Sequence, residues 1–204
     1  MKKELEVEKE VKKKVGIIPI RTAKAIFPII GKTPLLMDKM SKKVLKEIED
    51  KQTGESRTKG KKTRDIIEEM EVAIHKTSNG TIGFPAAGFK AGIIESTSFV
   101  GTKFFPNKKL AKGLKILNAV EGLIPIKFKK KDILIHNVGS NTKHTPQFHD
   151  WSCDLEIQFD ENNFSASDIA VLINYAGFYS GIGIWSPRCK SGGDFGMYEL
   201  AIEK

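Results

Sequence analysis

The sequence predicts an α+β fold: an antiparallel sheet backed by two helices, with an inserted basic hairpin and loop. Three observations predict it. In residues 151–159, Trp151, Cys153, Leu155, Ile157 and Phe159 alternate with Ser152, Asp154, Glu156 and Gln158, which describes a strand with one dry and one acidic face. Shortly after it, Ser165 stands as N-cap to an apolar run from Ala166 to Ala176, so a helix follows the strand closely enough to cover it. Residues 51–64 hold no aliphatic or aromatic side chain, so nothing there can bury.

The elements follow in order. Residues 1–15 read as a charged N-terminal tail and residues 16–204 as a single domain. A strand is expected from Lys24 to Ile30, closed by Gly31 and the Thr33-Pro34 turn. Ser41 caps a helix with Val44, Leu45 and Ile48 on one face, and this helix dissolves into the flexible basic insertion 51–64. Asp65 opens a short helix with Ile66, Ile67 and Met70. Val72 to His75 and Thr81 to Phe84 read as hairpin arms across Ser78, Asn79 and Gly80. Pro85 starts a helix from Ala86 to about Val100, with Phe89, Ile93, Ile94 and Thr97 on its face.

Leu110, Leu114 and Leu117 are spaced for a helix over Asn107 to Val120, and strands are expected at Ile124–Phe128 and Ile133–His136. The helix after Ser165 is expected to end at Gly177. A glycine-rich loop then leads to a last strand, Phe195–Ile202. Without the insertions the order is strand, helix, strand, strand, helix, strand, the ferredoxin-like or RRM-like plan.

Composition excludes several classes of protein. At 204 residues, 40% hydrophobic and 29% charged, with mean hydropathy −0.27, the chain has the balance of a globular domain. The longest uncharged apolar stretch, Ala25 to Gly31, is too short to cross a bilayer. The N-terminus carries both signs of charge and no apolar signal-peptide core. Cys153 and Cys189 alone build no disulfide framework. From these features a cytoplasmic protein is expected.

The net charge of +9 comes from 34 Lys and Arg against 25 Asp and Glu. Only Arg21, Arg57, Arg64 and Arg188 are arginines. Lysine is a hydrated point charge suited to phosphate, while arginine's fork reads base edges. A nucleic-acid partner would therefore be held by its backbone with little sequence preference. Lys39 to Asp65 carry a surplus of five positive charges and Lys103 to Lys131 a surplus of eight. Residues 151–170 hold five acidic residues and no basic one. The expected molecule has a basic side and an acidic side, a polarity that suits a polyanion groove or head-to-tail association.

Two segments carry candidate chemistry. From Gly83 a strand runs through Pro85 into a helix whose first turn holds small residues and Lys90, a place where free amides and the helix dipole favour an anion. From Gly177 to Gly196, six glycines let the chain wrap a backbone or pack tightly. Gly181 and Gly183 lack the third glycine of a dinucleotide fingerprint, and no phosphate-loop motif occurs, so no cofactor is expected. Strand contacts are assigned to Lys42, Lys43, Arg57, Lys59, Lys61, Lys62 and Arg64 around the insertion. Others fall to Lys90 and to Lys108, Lys109 and Lys112. The rest fall to Gly181, Gly183, Arg188, Lys190, Gly192 and Gly193.

These segments resemble the RAMP superfamily, the subunits of CRISPR effector complexes, most closely their repeated backbone subunit. Pro85-Ala86-Ala87-Gly88-Phe89-Lys90-Ala91-Gly92 is similar to that family's small-residue helix start, with two alanines in place of the usual Gly-Ser, and Gly181 to Gly196 to its C-terminal glycine-rich loop. The chain also resembles a family of tailed-phage and prophage proteins over most of residues 25–203. That likeness lies in Gly31-Lys32-Thr33-Pro34-Leu35-Leu36 and in the Gly-Ile-Gly-x-Trp-x-Pro and Gly-x-Phe-Gly pattern of residues 181–196. The RAMP resemblance implies a protein that binds single-stranded RNA or DNA by its backbone and polymerises along it in a bacterial host cell. It also implies that loop 51–64 is a projecting insertion and, for the RNA-cleaving members, that Asp38 is the one placeable aspartate.

His136, His144 and His149 gather in an expected loop beside Asp150 and Cys153, but their spacings match no short metal motif, and they read as polar loop residues. Phe178, Tyr179, Trp185 and Phe195 surround the glycine loop and read chiefly as core, with base stacking the alternative. The reading is a non-catalytic, multimeric binder of single-stranded nucleic acid without metal or cofactor. Its alternatives are a phage protein-interaction module acting on a host defence complex and a RAMP-type RNA endonuclease.

Overall fold

The computed structural model describes residues 20–40, 46, 49–50, 52–53, 66–101, 110–138, 141–190 and 192–201. Along the chain these form β1 (Thr22–Gly31), β2 (Leu35–Leu36), α1 (Ile66–Val72), β3 (Gly83–Pro85) and α2 (Ala86–Val100). A 3-10 turn at Leu110–Gly113 precedes β4 (Lys115–Ile116), β5 (Leu123–Pro125), β6 (Lys130–Val138) and β7 (Asn141–His149). Last come β8 (Ser152–Asp160), α3 (Ala166–Tyr179) and β9 (Tyr198–Leu200). The protein is a mixed α+β structure with antiparallel sheets.

Alternation along β1 and β8 builds the centre. The two strands pair antiparallel with Ala25 opposite Ile157, Phe27 opposite Leu155 and Ile29 opposite Cys153. Side chains of paired residues share a face, and this face is buried. The sheet order is β4-β8-β1-β9. Helices α2 and α3 pack against each other. Their Phe89, Ile93, Ile169, Leu172 and Ile173 join the sheet's apolar face in one core. The opposite face of the sheet is open, with Ile26 and Ile30 exposed and Asp154 opposite Pro28, Glu156 opposite Ile26.

A second sheet, β2-β7-β6, and a two-stranded ladder, β3-β5, flank this layer. Trp151 ties the parts together. Its ring is buried, its indole N–H donates to the Thr33 carbonyl at 2.9 Å, and it lies so close to Gly31 that a Cβ there would come within 2.2 Å of it.

Several expectations need correction. The Asn107–Val120 helix is not formed over its described part: Leu110–Gly113 make one 3-10 turn and Lys115–Ile116 join β8. The unpaired edge of β8 decides this, because Leu117 N–H donates to Glu156 O (2.8 Å) and Asn118 bonds both Asp154 O and Glu156 N–H. The Val72–His75 and Thr81–Phe84 hairpin shrinks to one Lys76–Ile82 bridge; Val72 belongs to α1, and Gly83–Pro85 pair with Leu123–Pro125. Helix α3 passes Gly177 and stops at Gly181, whose φ of 59° lets its N–H reach back to Ala176 O at 2.8 Å.

The expected histidine loop contains a strand instead. Residues Asn141–His149 pair along the whole of β6, and Leu35 and Leu36 pair with Phe148 and Gln147. Pro146 is tolerated there because its carbonyl still accepts from Met37 N–H at 3.2 Å. Over its described part the last strand starts late, at Tyr198, and runs to Leu200, because Gly196 turns the chain at φ 65°. Most of the Ser41 helix and of the 51–64 insertion lies outside the described residues.

Candidate functional site

A cleft of about 430 Å³ lies where three chain segments meet. Asp38 and His75 form one side, Phe84 and Gly88 the head of α2, and Gly181 to Ile184 with Ser186, Arg188 and Cys189 the far wall. Lys39 N–H donates to Ala73 O at 2.9 Å, two residues from His75.

The head of α2 is open. Pro85 occupies the N-cap position with no side-chain cap, and the first turn contains no acidic residue. Ala86 N–H is taken by Gly122 O at 2.9 Å, which leaves the amides of Ala87 and Gly88 at the positive end of the helix dipole. Lys90, half-buried, has no ion-pair partner among the described residues, but it does not line the cleft. Two residues on from Gly88, it lies roughly 200° around the helix, on the far side.

The glycine loop is knitted rather than free. Ile182 N–H donates to Gly196 O (2.9 Å), Gly196 N–H to Pro34 O (2.8 Å) and Ile184 N–H to Leu36 O (3.3 Å). A Cβ at Gly183 would lie 2.3 Å from Leu36 O, and one at Gly193 2.2 Å from Trp185 O. These glycines hold the loop against β2 and against itself; Gly181 and Gly183 reach the cleft, while Gly192 and Gly193 border a shallow groove with Trp185 and Phe195. In that groove Trp185 adopts φ 55° and stacks its edge with His136 at 4.3 Å.

The charges of the wall are largely matched. Arg188 Nε meets Glu95 at 3.3 Å, and Glu95 also accepts from Ser180 Oγ at 2.9 Å. Asp38, the aspartate of the RNA-cleaving reading, is bound by the Lys143 ammonium. Burial, helped by the Lys39 charge, holds the His75 imidazole below its usual pKa, so it is neutral at pH 7. Among the described residues the cleft therefore offers an incoming anion backbone dipoles and uncharged donors.

Of the other assigned residues, Lys112 and Lys190 are exposed and neither lines the cleft. Lys42, Lys43, Arg57, Lys59, Lys61, Lys62, Arg64, Lys108 and Lys109 lie outside the described residues. The run Lys129 to Lys131 is paired: Lys129 with Asp150, Lys130 with Asp132 and Lys131 with Glu71. Hydrogen bonds from Lys131 and Lys76 hold the Glu71 carboxyl below the usual range.

Among the described residues no group of three or more His, Cys, Asp and Glu could hold a metal ion. His136 and His144 sit on facing strands but on opposite faces of the hairpin, as their register dictates. Cys153 is buried in the core, where desolvation pushes its thiol up to about 12. Phe178 and Tyr179, expected chiefly as core, are instead exposed on α3, while Trp185 and Phe195 are half-buried. Sequence reasoning missed Asp38, His75 and Gly88 as neighbours, since residues far apart in the chain meet only once β2 pairs with β7. No helix among the described residues is long and apolar enough to cross a membrane. No protein-family model and no curated protein matches the chain.

Proposed function

We propose that the protein binds single-stranded nucleic acid, RNA or DNA, by its phosphates, without catalysis and as a multimer, in phage, prophage or CRISPR-related biology in a bacterial cytoplasm. One observation carries this reading: the uncapped head of α2, the Gly181–Gly183 turn and the Asp38 and His75 side chains converge on a single cleft. Free amides and dipole ends favour phosphate, and in the sequence ten basic residues from Lys39 to Asp65 fall between Asp38 and His75, two residues that line the cleft.

A ferredoxin-like core is part of the same proposal. Its support is that β1, α2, β4, β8, α3 and β9 run strand-helix-strand-strand-helix-strand, with the sheet ordered β4-β8-β1-β9. No cofactor enters the proposal.

The test is fluorescence anisotropy with labelled oligo-uridine and oligo-thymidine at several salt concentrations. Four phosphate contacts give a slope of log K against log salt of about −3, with similar values for both strands. An affinity that barely changes between low and moderate salt ends the reading.

A further inference from the structure

The two helices that cover the sheet carry a surface unlike the rest of the molecule. Helix α2 contains Lys90 and Glu95, and α3 contains Asp168, as their only charged residues, in a chain that is 29% charged. Glu95 is engaged by Arg188 and Ser180, and Asp168 by the Ser165 cap. On the outer side, Phe178 is 60% exposed, Tyr179 46%, Phe99 43%, Val171 41% and Tyr175 37%. The rings form one assembly: Phe99 stacks on Tyr179 at 4.8 Å, Tyr175 stacks on Tyr179 at 5.8 Å, and Phe178 meets Tyr179 edge-on at 4.9 Å.

We propose that this ring-paved face, centred on Tyr179 between α2 and α3, is a self-complementary interface on which a second copy of the chain docks in a two-fold pair. A partner with a charged surface would lose hydration there without gaining an ion pair. A nucleic-acid strand would find rings but, among the described residues, no free cation within the face to hold its phosphates. A second copy meets neither obstacle, and in an isologous contact Phe178 of each chain packs on the rings of the other.

Area sets the strength of the pair. Aromatic side chains present roughly 150–250 Å² each, so at these exposures the four rings offer about 400 Å² per copy. A pair would then bury about 800 Å² of ring surface, against roughly 1,200 Å² in the smallest specific interfaces. Val171 and the exposed polar rim at Asn174 add to it. The dimer is therefore reversible and depends on concentration. It stands apart from the strand-binding reading, because none of its residues lines the cleft and it needs no nucleic acid.

The experiment is sedimentation velocity on nuclease-treated protein at high salt, over a micromolar-to-millimolar series. The wild-type mass should rise from 22.7 kDa toward twice that value. Phe178→Asp should weaken self-association by more than an order of magnitude, with the circular dichroism spectrum and melting unchanged. Val171→Arg, on the same face and away from the rings' stack, should do the same. A wild-type mass that stays at 22.7 kDa throughout overturns the proposal. So does dimerisation that both variants retain, or a monomer whose oligonucleotide affinity falls with Phe178→Asp, which would make the face a base-stacking surface.

Discussion

Helices α2 and α3 are neighbours of nearly equal length, 15 and 14 residues, yet they begin in opposite ways. At the head of α3, Ser165 Oγ accepts from Asp168 N–H at 3.2 Å while the Asp168 carboxylate accepts from Ser165 N–H at 2.8 Å. This capping box satisfies the orphan amides and sets a negative charge against the positive end of the dipole. At the head of α2, Pro85 fixes the entry but supplies no acceptor, and no acidic residue follows. One helix has consumed its own electropositive end; the other holds it open beside the cleft. The difference separates a helix start that serves stability from one whose open end the proposed function assigns to phosphate.

The largest expected effect tests the other end of the same pair. Gly177 on α3 lies against β9, where a Cβ would come within 1.9 Å of Tyr198 O. Gly92 on α2 has room: its nearest neighbours, the Cβ atoms of Ala176 and Ser180, would be 3.7 Å away. Gly177→Ala should therefore lower stability by roughly 3 kcal/mol, with a Tm drop of about 10 °C. Gly92→Ala should raise stability by about 0.5–1 kcal/mol, because alanine loses less backbone entropy in a helix. Calorimetry on both variants gives opposite signs if the helices pack as described, and equal signs would refute that packing.

Smaller effects belong to the two helix heads. Ser165→Ala should cost about 1 kcal/mol and leave strand affinity unchanged. Ala87→Asp places a carboxylate in the first turn of α2, at an exposed position. It should stabilise the fold by about 0.3–1 kcal/mol through the dipole. The same substitution should weaken oligonucleotide binding roughly three- to tenfold, since the open amides then face a resident anion. Stability and affinity moving in opposite directions is the signature of a site kept open; an Ala87→Asp variant that binds as tightly as wild type removes α2 from the site.

How much of this was legible in the sequence follows from the range of each interaction. The capping box, the alternation of β8 and the start of α2 are local, with partners within four residues, and the residue pattern shows them directly. The contacts that failed to show are those that another segment dictates. The leucine spacing of 110–117 is helical, but the open edge of β8 captures Ile116 and Leu117. The histidine stretch is polar and contains Pro146, so it carries no strand signal; pairing with β6 and β2 makes it one. For the site, the glycines were legible as a loop but not as its packing: Gly183 is required by Leu36, more than a hundred residues earlier. Lys90 looked like part of the anion site because it is near in sequence, and the helical turn carries it away.

The smallest effect concerns pH, and its sign distinguishes the open helix head from the closed one. His75 has its pKa lowered chiefly by burial and further by Lys39, so the folded protein resists a proton that the unfolded chain accepts. Unfolding is then accompanied by proton uptake in the window from the unfolded histidine value, about 6.5, down to the lowered folded value. Stability contributed by His75 is complete above that window and falls as pH drops through it. An anion in the cleft reverses the balance, because a phosphate near the imidazole favours its charged form. Strand binding should therefore take up a proton and tighten from pH 8 to pH 5.5 while the free protein loses stability over the same range. His75→Asn should flatten both trends, read by anisotropy and by urea denaturation at each pH. At the head of α3 no such reversal is available, since its anion is the protein's own Asp168 and no imidazole stands beside it. If binding and stability weaken together on acidification, the phosphate lies elsewhere than beside His75, and the open end of α2 is not where the strand is held.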